Sequence, residues 1–309
     1  MIRTRKLRRP RILVVGAGNI GLRCVKLLSA RYRVFALSRD MAPERVDELR
    51  AAGAIPVAGD LDQRASLRRV GTVARVVLDL APPPGKGAGD PRSQALIAAL
   101  TRARGRALIV PERRRPTVVY ASTTGVYGDC GGARVDETRP VRPANARAVR
   151  RVAAERAWRA AGARAAVDVR VVRIPGIYAG DRLPVERLRK GTAALDAADD
   201  VFTSHIHADD LAAIMIRAVH AGRPQRVYLA ADDTRLRMAD YFDLIADRKG
   251  LPRPPRITRA DAEQQLEPTL LSFMRESRQI DNGRLKTELG YRLRFPTVHD
   301  FLDSEDSAG

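Results

Sequence analysis

A glycine-rich turn near the start of the chain constrains the fold more than any other feature. The apolar run RILVV at 11–15 leads into GAGNIG at 16–21, and the residues that follow have the spacing of a helix. Gly16 permits the tight turn, Gly18 lets a pyrophosphate approach the backbone, and Gly21 allows close packing of helix on strand. The helix N-terminus adds amides and a positive dipole. The turn predicts a dinucleotide site formed by Gly16, Gly18, Asn19, Ile20 and Gly21; a ligand-free glycine turn is the alternative.

Short apolar runs alternate with amphipathic stretches along most of the chain. Strands are predicted at 11–16, 33–38, 54–58, 75–80, 117–122, 168–173 and 226–231. Helices are predicted near 19–30, 42–52, 63–70, 89–104 and 144–161. A further helix, which Asp209 or Asp210 could cap, precedes the seventh strand. This alternation predicts an α/β fold with a Rossmann-type doubly wound parallel sheet.

The chain is expected to divide into a core and a smaller lobe. The dinucleotide-binding core would cover 11–175 and be completed by 207–231. After residue 231 the pattern becomes helical and is broken by prolines at 251–256, which is typical of a small, mostly helical substrate lobe. We assign that lobe to 176–206 and 232–302, and residues 1–10 to a basic N-terminal tail.

The end of the second predicted strand bears on which dinucleotide binds. NAD sites place an acidic residue about 20 residues beyond the glycine turn, against the ribose hydroxyls. Here the strand ends in Ser38-Arg39, and Asp40 comes one step later. A hydroxyl followed by a guanidinium suits a 2′-phosphate, because arginine forms bidentate bonds to phosphate. The sequence favours NADP over NAD, unless Arg39 is only a solvated loop residue.

Composition limits the class of protein. The net charge is +20, but only six of the 56 basic residues are lysine, and the arginines are scattered apart from clusters at 3–11 and 113–115. This arginine bias is typical of a GC-rich genome, so no specific nucleic-acid partner is expected. The two cysteines, Cys24 and Cys130, lie far apart, which favours a reduced cytoplasmic protein without a metal site. No run of about 18 apolar residues indicates a membrane span.

From YASTTGVYGDCGGARVDETRPVRP at 120–143 onward, the chain resembles the extended and atypical short-chain dehydrogenases/reductases, the NAD-dependent epimerase/dehydratase family. The segments at 59–62 (GDLD), 80–85 (LAPPPG), 171–191, 204–212 and 278–296 resemble the family's other landmarks in the same order. The resemblance implies that Asp60 and Leu61 contact adenine and that Ala81 and Pro82 lie along the cofactor. It also implies that Pro175 lines the nicotinamide.

The catalytic pair of the family is replaced in this chain. The family uses Tyr-x-x-x-Lys, yet none of the seven tyrosines here has a lysine four residues on. Counting from Ala154-Glu155, those positions hold Arg147 and Arg151, which fall on one helix face. Arginine stays protonated, so neither replaces the tyrosine in proton transfer, although Arg151 could bind ribose or a substrate anion.

Hydroxyls near strand ends supply the other catalytic candidates. The family's Ser/Thr position falls on Thr123, which could hydrogen-bond a substrate carbonyl or merely cap the strand. Tyr127 and Tyr178 could replace the missing acid, or pack with bonded hydroxyls. For His205 and His207 a structural role is expected rather than metal binding, and Trp158 is expected to pack against the core.

Two functions follow from these features. One is an NADP-dependent oxidoreductase or epimerase, possible with NAD as well, acting on a small sugar-like or anionic substrate. The other is a non-catalytic dinucleotide-binding sensor or scaffold that kept the cofactor pocket without the Tyr–Lys pair. The resemblance also implies a homodimer built on helices that include the one near 144–161.

Overall fold

The computed structural model describes residues 9–102 and 115–307. The basic tail at 1–8 and Arg113 and Arg114 of the second arginine cluster lie outside the described residues. Within the described part, no helix has the length and apolar character that crossing a membrane requires.

The strands are short or of medium length, and they follow the predicted runs closely in the first half of the chain. They are β1 (Arg11–Val15), β2 (Arg33–Ser38), β3 (Ala54–Ala58), β4 (Val76–Asp79), β5 (Thr117–Thr123), β6 (Arg134–Val135), β7 (Asp168–Ile174), β8 (Gly176–Tyr178), β9 (Ala194–Leu195), β10 (Phe202–Thr203), β11 (His205–His207), β12 (Arg226–Leu229), β13 (Leu236–Arg237), β14 (Arg256–Ile257) and β15 (Gln279–Ile280).

The α-helices lie between these strands and beyond them. They are α1 (Asn19–Leu28), α2 (Pro43–Ala51), α3 (Val70–Val73), α4 (Pro91–Arg102), α5 (Ala146–Ala163), α6 (Val185–Arg189), α7 (Ala208–Ala221), α8 (Met238–Arg248), α9 (Arg259–Gln265), α10 (Pro268–Met274), α11 (Gly283–Thr287) and α12 (Val298–Asp306). Single 3-10 turns occur at Arg64–Leu67, Thr124–Tyr127 and Gly180–Arg182.

Seven strands form one parallel sheet in the order β3-β2-β1-β4-β5-β7-β12. Val14 of β1, for example, lies in register with Ala36 of β2 and with Leu78 of β4. The chain moves outward from β1 in one direction and from β4 in the other, so these two strands mark the topological switch point. The predicted doubly wound fold with a helix-rich C-terminal part is confirmed.

The chain divides into two compact units. The first comprises Met1–Ser122, Ala153–Val172 and Ala212–Arg226. In it, α1 buries Gly21, Cys24, Val25 and Leu28, whose spacing of three and four residues is that of one helix face. Trp158 is fully buried as predicted, and its indole N–H donates to the buried Asp79 carboxylate at 3.2 Å.

The second unit comprises Thr123–Val152, Arg173–Leu211 and Val227–Gly309. Its short strands pair as β8 with β11, β6 with β15, β9 with β14 and β10 with β13. Asp210 is buried, and its carboxylate accepts from the Tyr291 hydroxyl at 2.7 Å and from the Arg294 and Phe295 amides. At the start of α7 the ring Nδ1 of His207 accepts from the Asp209 amide at 3.2 Å, a capping contact that the sequence did not suggest.

One predicted helix takes a different form. The segment at 63–70 contains a 3-10 turn over Arg64–Leu67, and α3 then begins at Val70. Only Leu67 and Val70 among the residues at 63–70 are buried, so little apolar contact supports a longer helix there. The predicted domain boundaries stay predictions.

Candidate cofactor and active site

A cleft of about 340 Å³ lies beyond the carboxyl ends of β1 to β4 within the first unit. Its walls come from the loops that follow these four strands and from the first turns of α2 and α4. The lining residues are Val15, Gly16, Ala17, Leu37, Ser38, Arg39, Asp40, Arg45, Gly59, Asp60, Leu61, Ala81, Pro82 and Arg92. Ligands of open parallel sheets bind in such a crevice at the switch point. The structure therefore brings together Gly16, Ser38, Arg39, Asp60, Leu61, Ala81 and Pro82 as the sequence predicted.

The three glycines of the turn have different physical roles. Gly16 has a φ of +86°, and a Cβ on it would lie 2.7 Å from the Ala81 amide nitrogen. A Cβ on Gly21 would lie 2.4 Å from the Gly16 carbonyl oxygen, so strand and helix approach too closely for any side chain. A Cβ on Gly18 would meet nothing within 4 Å. Gly16 and Gly21 are therefore required by the fold itself, whereas Gly18 borders open space.

That open space fits a pyrophosphate. Gly18 caps α1 with extended backbone, so amides of the first helical turn have no partner within the helix. Asn19 and Ile20 form that first turn, where the Asn19 side-chain oxygen accepts from Arg23 at 3.2 Å. Helix N-termini of this kind bind phosphate through amides and the helix dipole. The pyrophosphate contact at this turn stays a prediction from the sequence.

At the end of β2, Arg39 is exposed and the carboxylate of Asp40 is already hydrogen-bonded. Ser38 donates its hydroxyl to the Asp40 carbonyl at 2.6 Å, and the Asp40 carboxylate accepts from the Ala42 amide at 2.9 Å. Arg39 is exposed, and its guanidinium makes no hydrogen bond within the described residues. The acidic side chain that follows Arg39 in the sequence is thus turned back onto its own loop.

A second arginine, Arg45, reaches the same wall of the cleft and was not predicted. It is the third residue of α2, and its guanidinium donates to the Ala17 carbonyl at 2.6 Å and pairs with Glu48. The contact with Ala17 spans 28 residues of sequence. The sequence does show an arginine six residues beyond Arg39. Because α2 carries many charged residues, however, its pattern predicts only a solvated helix surface at Arg45.

Arg92 closes the opposite wall and was also not predicted. It lies on α4 and donates two hydrogen bonds to the Asp62 carboxylate, at 2.8 and 2.6 Å, and one to the Pro82 carbonyl at 3.1 Å. The hydrogen bond from Arg92 holds the pKa of Asp62 below its usual range. Asp60 accepts from the Asp62 amide at 2.9 Å, which shapes the turn after β3. Arg92 therefore links two loops. The resemblance predicts that the loop with Asp62 contacts adenine and that the loop with Pro82 lies along the cofactor.

Thr123 ends β5 in the second unit and is half-buried. Its hydroxyl oxygen accepts from the Gly125 amide at 3.2 Å, so the strand-capping role foreseen for it is present. Because that contact uses the oxygen as acceptor, the hydroxyl proton can still be donated to another oxygen.

Tyr127 is buried with its hydroxyl engaged on both sides. The hydroxyl donates to the Asp136 carbonyl at 3.0 Å and accepts from the Arg173 guanidinium at 2.7 Å. Arg173 also lies over the ring, 4.8 Å from its centroid. These contacts are those of a packed tyrosine with a bonded hydroxyl, the alternative to a catalytic acid.

Tyr178 is also buried, among aromatic rings. Its ring meets those of His207 and Phe301 edge-on, at 5.3 and 5.5 Å between centroids. The hydroxyl has no hydrogen bond of ordinary geometry, although the Asp232 carboxylate lies nearby. Burial, together with that carboxylate, raises the pKa of Tyr178 far above its usual value. Tyr178 is therefore neutral and a weak proton donor at any ordinary pH.

Arg147 and Arg151 lie on consecutive turns of α5, as the count from Ala154 predicted. Asn145 caps this helix by accepting from the Ala148 amide at 2.9 Å. Arg147 lies over the ring of Phe273, 4.5 Å from its centroid, and burial lowers its pKa. The pair forms a cationic face rather than a proton-transfer pair.

The remaining candidates occupy apolar or strand-linking positions. Pro175 joins β7 to β8. His205 stacks on Tyr241 at 4.1 Å, and burial lowers the pKa of His205 to about 4. Burial raises the pKa of Cys130 and, to about 12, that of Cys24, so neither thiol is activated. Among residues 9–102 and 115–307, no group of three or more His, Cys, Asp or Glu side chains could hold a metal ion.

A doubly wound parallel sheet with a glycine-lined cleft at its switch point defines a dinucleotide-binding protein of the Rossmann type. More specifically, the chain belongs to the NAD dependent epimerase/dehydratase family, because a sequence model of that family matches residues 12–231. The resemblance stated from the motifs is confirmed. No curated protein sequence matches the chain.

Solved structures share the fold over nearly the whole chain. A functionally unknown conserved protein from Silicibacter pomeroyi is 29% identical, with a TM-score of 0.79 over 97% of this chain and 99% of that one. A dTDP-glucose 4,6-dehydratase from Streptomyces venezuelae, solved with NAD and TYD bound, is 21% identical, with a TM-score of 0.75 over 95% of each chain. A UDP-glucose 4-epimerase from Thermotoga maritima, solved with UDP-glucose, is 16% identical, with a TM-score of 0.74 over 97% of this chain and 100% of that one.

Proposed function

We propose that the protein is an NADP-dependent oxidoreductase or epimerase that acts on a small, sugar-like or anionic substrate. The observation that carries the cofactor choice is the end of β2, where Arg39 and Arg45 line the cleft and Asp40 is held by the Ala42 amide. Arg39 has no hydrogen-bond partner among the described residues and the adjacent Asp40 carboxylate is engaged, whereas Arg45 already pairs with Glu48. An exposed guanidinium without a neighbouring unengaged carboxylate favours a 2′-phosphate over two ribose hydroxyls.

Other residues predicted from the sequence have roles consistent with this proposal. Gly16 and Gly18 would hold the pyrophosphate against α1, and Asp60 with Leu61 would border adenine. When bound, the nicotinamide supplies a hydride acceptor or donor. Thr123 would donate its hydroxyl proton to a substrate oxygen, since its own oxygen already accepts from the Gly125 amide. Arg151 would bind an anionic group of substrate or cofactor.

The family suggests where a substrate search should begin. Two of the solved relatives hold UDP-glucose or TYD, so nucleotide sugars form the first panel, followed by small anionic carbonyl compounds. A homodimer and a cytoplasmic location stay predictions from the sequence.

Calorimetric titration tests the cofactor proposal. Cofactor-stripped wild-type protein, Arg39→Ala and the control Arg50→Ala, an exposed arginine of α2 outside the cleft, are titrated with NADP, NADPH, NAD and NADH. We expect Arg39→Ala to weaken NADP binding about 10- to 100-fold, the loss expected for a hydrogen bond between charged groups, and NAD binding hardly at all. Equal losses for both dinucleotides would contradict the 2′-phosphate assignment. Absence of binding by all four would contradict the cofactor proposal itself.

A second function, a dinucleotide-binding sensor or scaffold without catalysis, is favoured by one feature. Arg147 and Arg151 replace the family's Tyr–Lys pair, and arginine does not exchange protons near neutral pH. Single-turnover mixing of the NADP complex with the nucleotide sugars, which can donate a hydride, and of the NADPH complex with the carbonyl compounds, which can accept one, distinguishes the two functions when nicotinamide absorbance is followed. Turnover that Thr123→Ala abolishes would support the enzyme; tight NADP binding without turnover on any compound would support the sensor.

A further inference from the structure

A cavity of about 370 Å³ lies in the first unit at the amino ends of β1, β2 and β3, the opposite edge of the sheet from the cofactor cleft. Arg9, Arg11 and Arg33 all line it, and none of the described residues that line it is an aspartate or a glutamate. The Arg9 guanidinium donates to the Ser29 carbonyl at 3.1 Å. The Arg33 guanidinium lies over the Phe35 ring, 5.5 Å from its centroid. Within the described residues none of the three arginines forms an ion pair, so no carboxylate there neutralises their charges.

The strand register makes this charge arrangement unfavourable without a ligand. Arg11 and Arg33 are the first residues of β1 and β2 and are direct partners in the parallel pairing, so both side chains leave the same face of the sheet. Both are exposed, and like charges on facing strand positions destabilise a sheet. An anion bound between them would remove the repulsion and gain two charge-assisted hydrogen bonds.

The other walls are apolar and aromatic. Tyr32 lines the cavity with its hydroxyl fixed by His220 Nε2 at 3.2 Å, and Ile55 contributes an aliphatic side chain that is 38% exposed. Such walls suit the flat or apolar body of a ligand whose charged end meets the arginines. The volume falls within the range of small-molecule pockets.

From these features we infer a second binding site for a small, nucleotide-sized ligand that carries a di- or triphosphate. The phosphates lie between Arg9, Arg11 and Arg33, and the base or sugar lies against Tyr32 and Ile55. The site is separate from the cofactor cleft and does not depend on the proposed reaction.

Titration of the full chain with ATP, pyrophosphate, adenosine and a single-stranded oligonucleotide tests this site. We expect one saturable ATP site, with adenosine at least about 10-fold weaker because it lacks the phosphates. The double variant Arg11→Gln/Arg33→Gln should lose at least about 10-fold in ATP affinity. Arg39→Gln in the cofactor cleft and Arg50→Gln on α2 should each stay within about twofold, because neither residue lines this cavity.

The outcomes that overturn the proposal are distinct. Loss of ATP binding in Arg39→Gln but not in the double variant would assign the nucleotide to the cofactor cleft. Similar losses in all variants would indicate diffuse charge, and affinity that grows with oligonucleotide length would indicate nucleic acid. Thermal melting gives an independent check, since ligand-free Arg11→Gln should melt above the wild type and Arg50→Gln should not. A lower melting temperature for Arg11→Gln would remove the repulsion argument.

Discussion

The buried carboxyl group of Asp232, in the second unit, should make the stability of the protein depend on pH. Asp232 is 4% exposed, and its Oδ1 accepts from the Thr234 amide at 2.9 Å. Among the described residues Oδ2 has no hydrogen bond of ordinary geometry, although the Tyr178 hydroxyl lies nearby. Burial raises the pKa of Asp232 from 3.8 to about 7. The folded protein therefore binds this proton more tightly than the unfolded chain, so stability is lost as pH rises from about 4 to about 7.

The size of the effect follows from the pKa difference. Raising a carboxyl pKa from 3.8 to about 7 corresponds to about 4 kcal/mol in total, of which about 3 kcal/mol is lost between about pH 5 and pH 8. Asp232→Asn removes the charge and keeps an oxygen for the Thr234 amide. We expect the variant to gain about 3 kcal/mol relative to the wild type between these two pH values.

Chemical denaturation followed by circular dichroism at about pH 5 and pH 8 measures this gain. His205, whose pKa burial lowers to about 4, contributes in the opposite sense: its stabilisation is full above about 6.5 and is lost as pH falls towards about 4. It is present in both proteins and so cancels in the difference. Asp47→Asn, at an exposed position of α2, is the control and should follow the wild type. A difference between Asp232→Asn and wild type that is the same at both pH values would refute the reasoning.

Four further substitutions test the cofactor turn, the packed tyrosine and a helix cap. Gly18→Val should lower NADP affinity at least about 100-fold with an unchanged melting temperature. Gly16→Val should lower the melting temperature, because Gly16, unlike Gly18, has a positive φ and backbone atoms within reach of a Cβ. Tyr127→Phe should destabilise the protein by about 1–3 kcal/mol, measured by denaturation, because Arg173 loses a buried acceptor. Unchanged turnover in that variant would rule Tyr127 out as the catalytic acid. Thr297→Ala should cost about 1 kcal/mol by removing the capping box of α12, and no change would contradict that role.

The sheet was largely predictable from sequence because most of its inner strands are buried on both faces. Strands such as β1 and β2 then read as continuous apolar runs, and their observed limits differ from the predicted ones by one residue at most. The two- and three-residue strands of the second unit were not predicted, because so short a strand has no measurable alternation. The prediction of a helix at 63–70 was wrong for a related reason. The segment has too few buried residues for its apolar positions to show a helical period.

The glycines of the site were predictable, and its arginines only partly so. Gly16 and Gly21 are required because other backbone atoms lie too close to them for a side chain, and the glycine motif in the sequence indicates such positions directly. Arg39 follows its strand immediately and could be found by counting. Arg45 and Arg92 reach the cleft from helices, through contacts with Ala17 and with Asp62 that depend on how the chain folds back on itself. Such contacts have no sequence spacing by which to recognise them.

Hydride transfer would be accompanied by the transfer of a proton, and the structure limits which of the predicted side chains could carry that proton. Arg147 and Arg151 stay charged, Tyr127 already donates its proton to a carbonyl, and burial keeps Tyr178 neutral. Of the predicted catalytic side chains, Thr123 alone has a hydroxyl oxygen that accepts one amide and a proton left to give. A threonine hydroxyl can orient a substrate oxygen, but it does not ionise near neutral pH. None of the five predicted catalytic side chains therefore supplies an acid that ionises near neutral pH, and the two arginines are better suited to binding anionic charge.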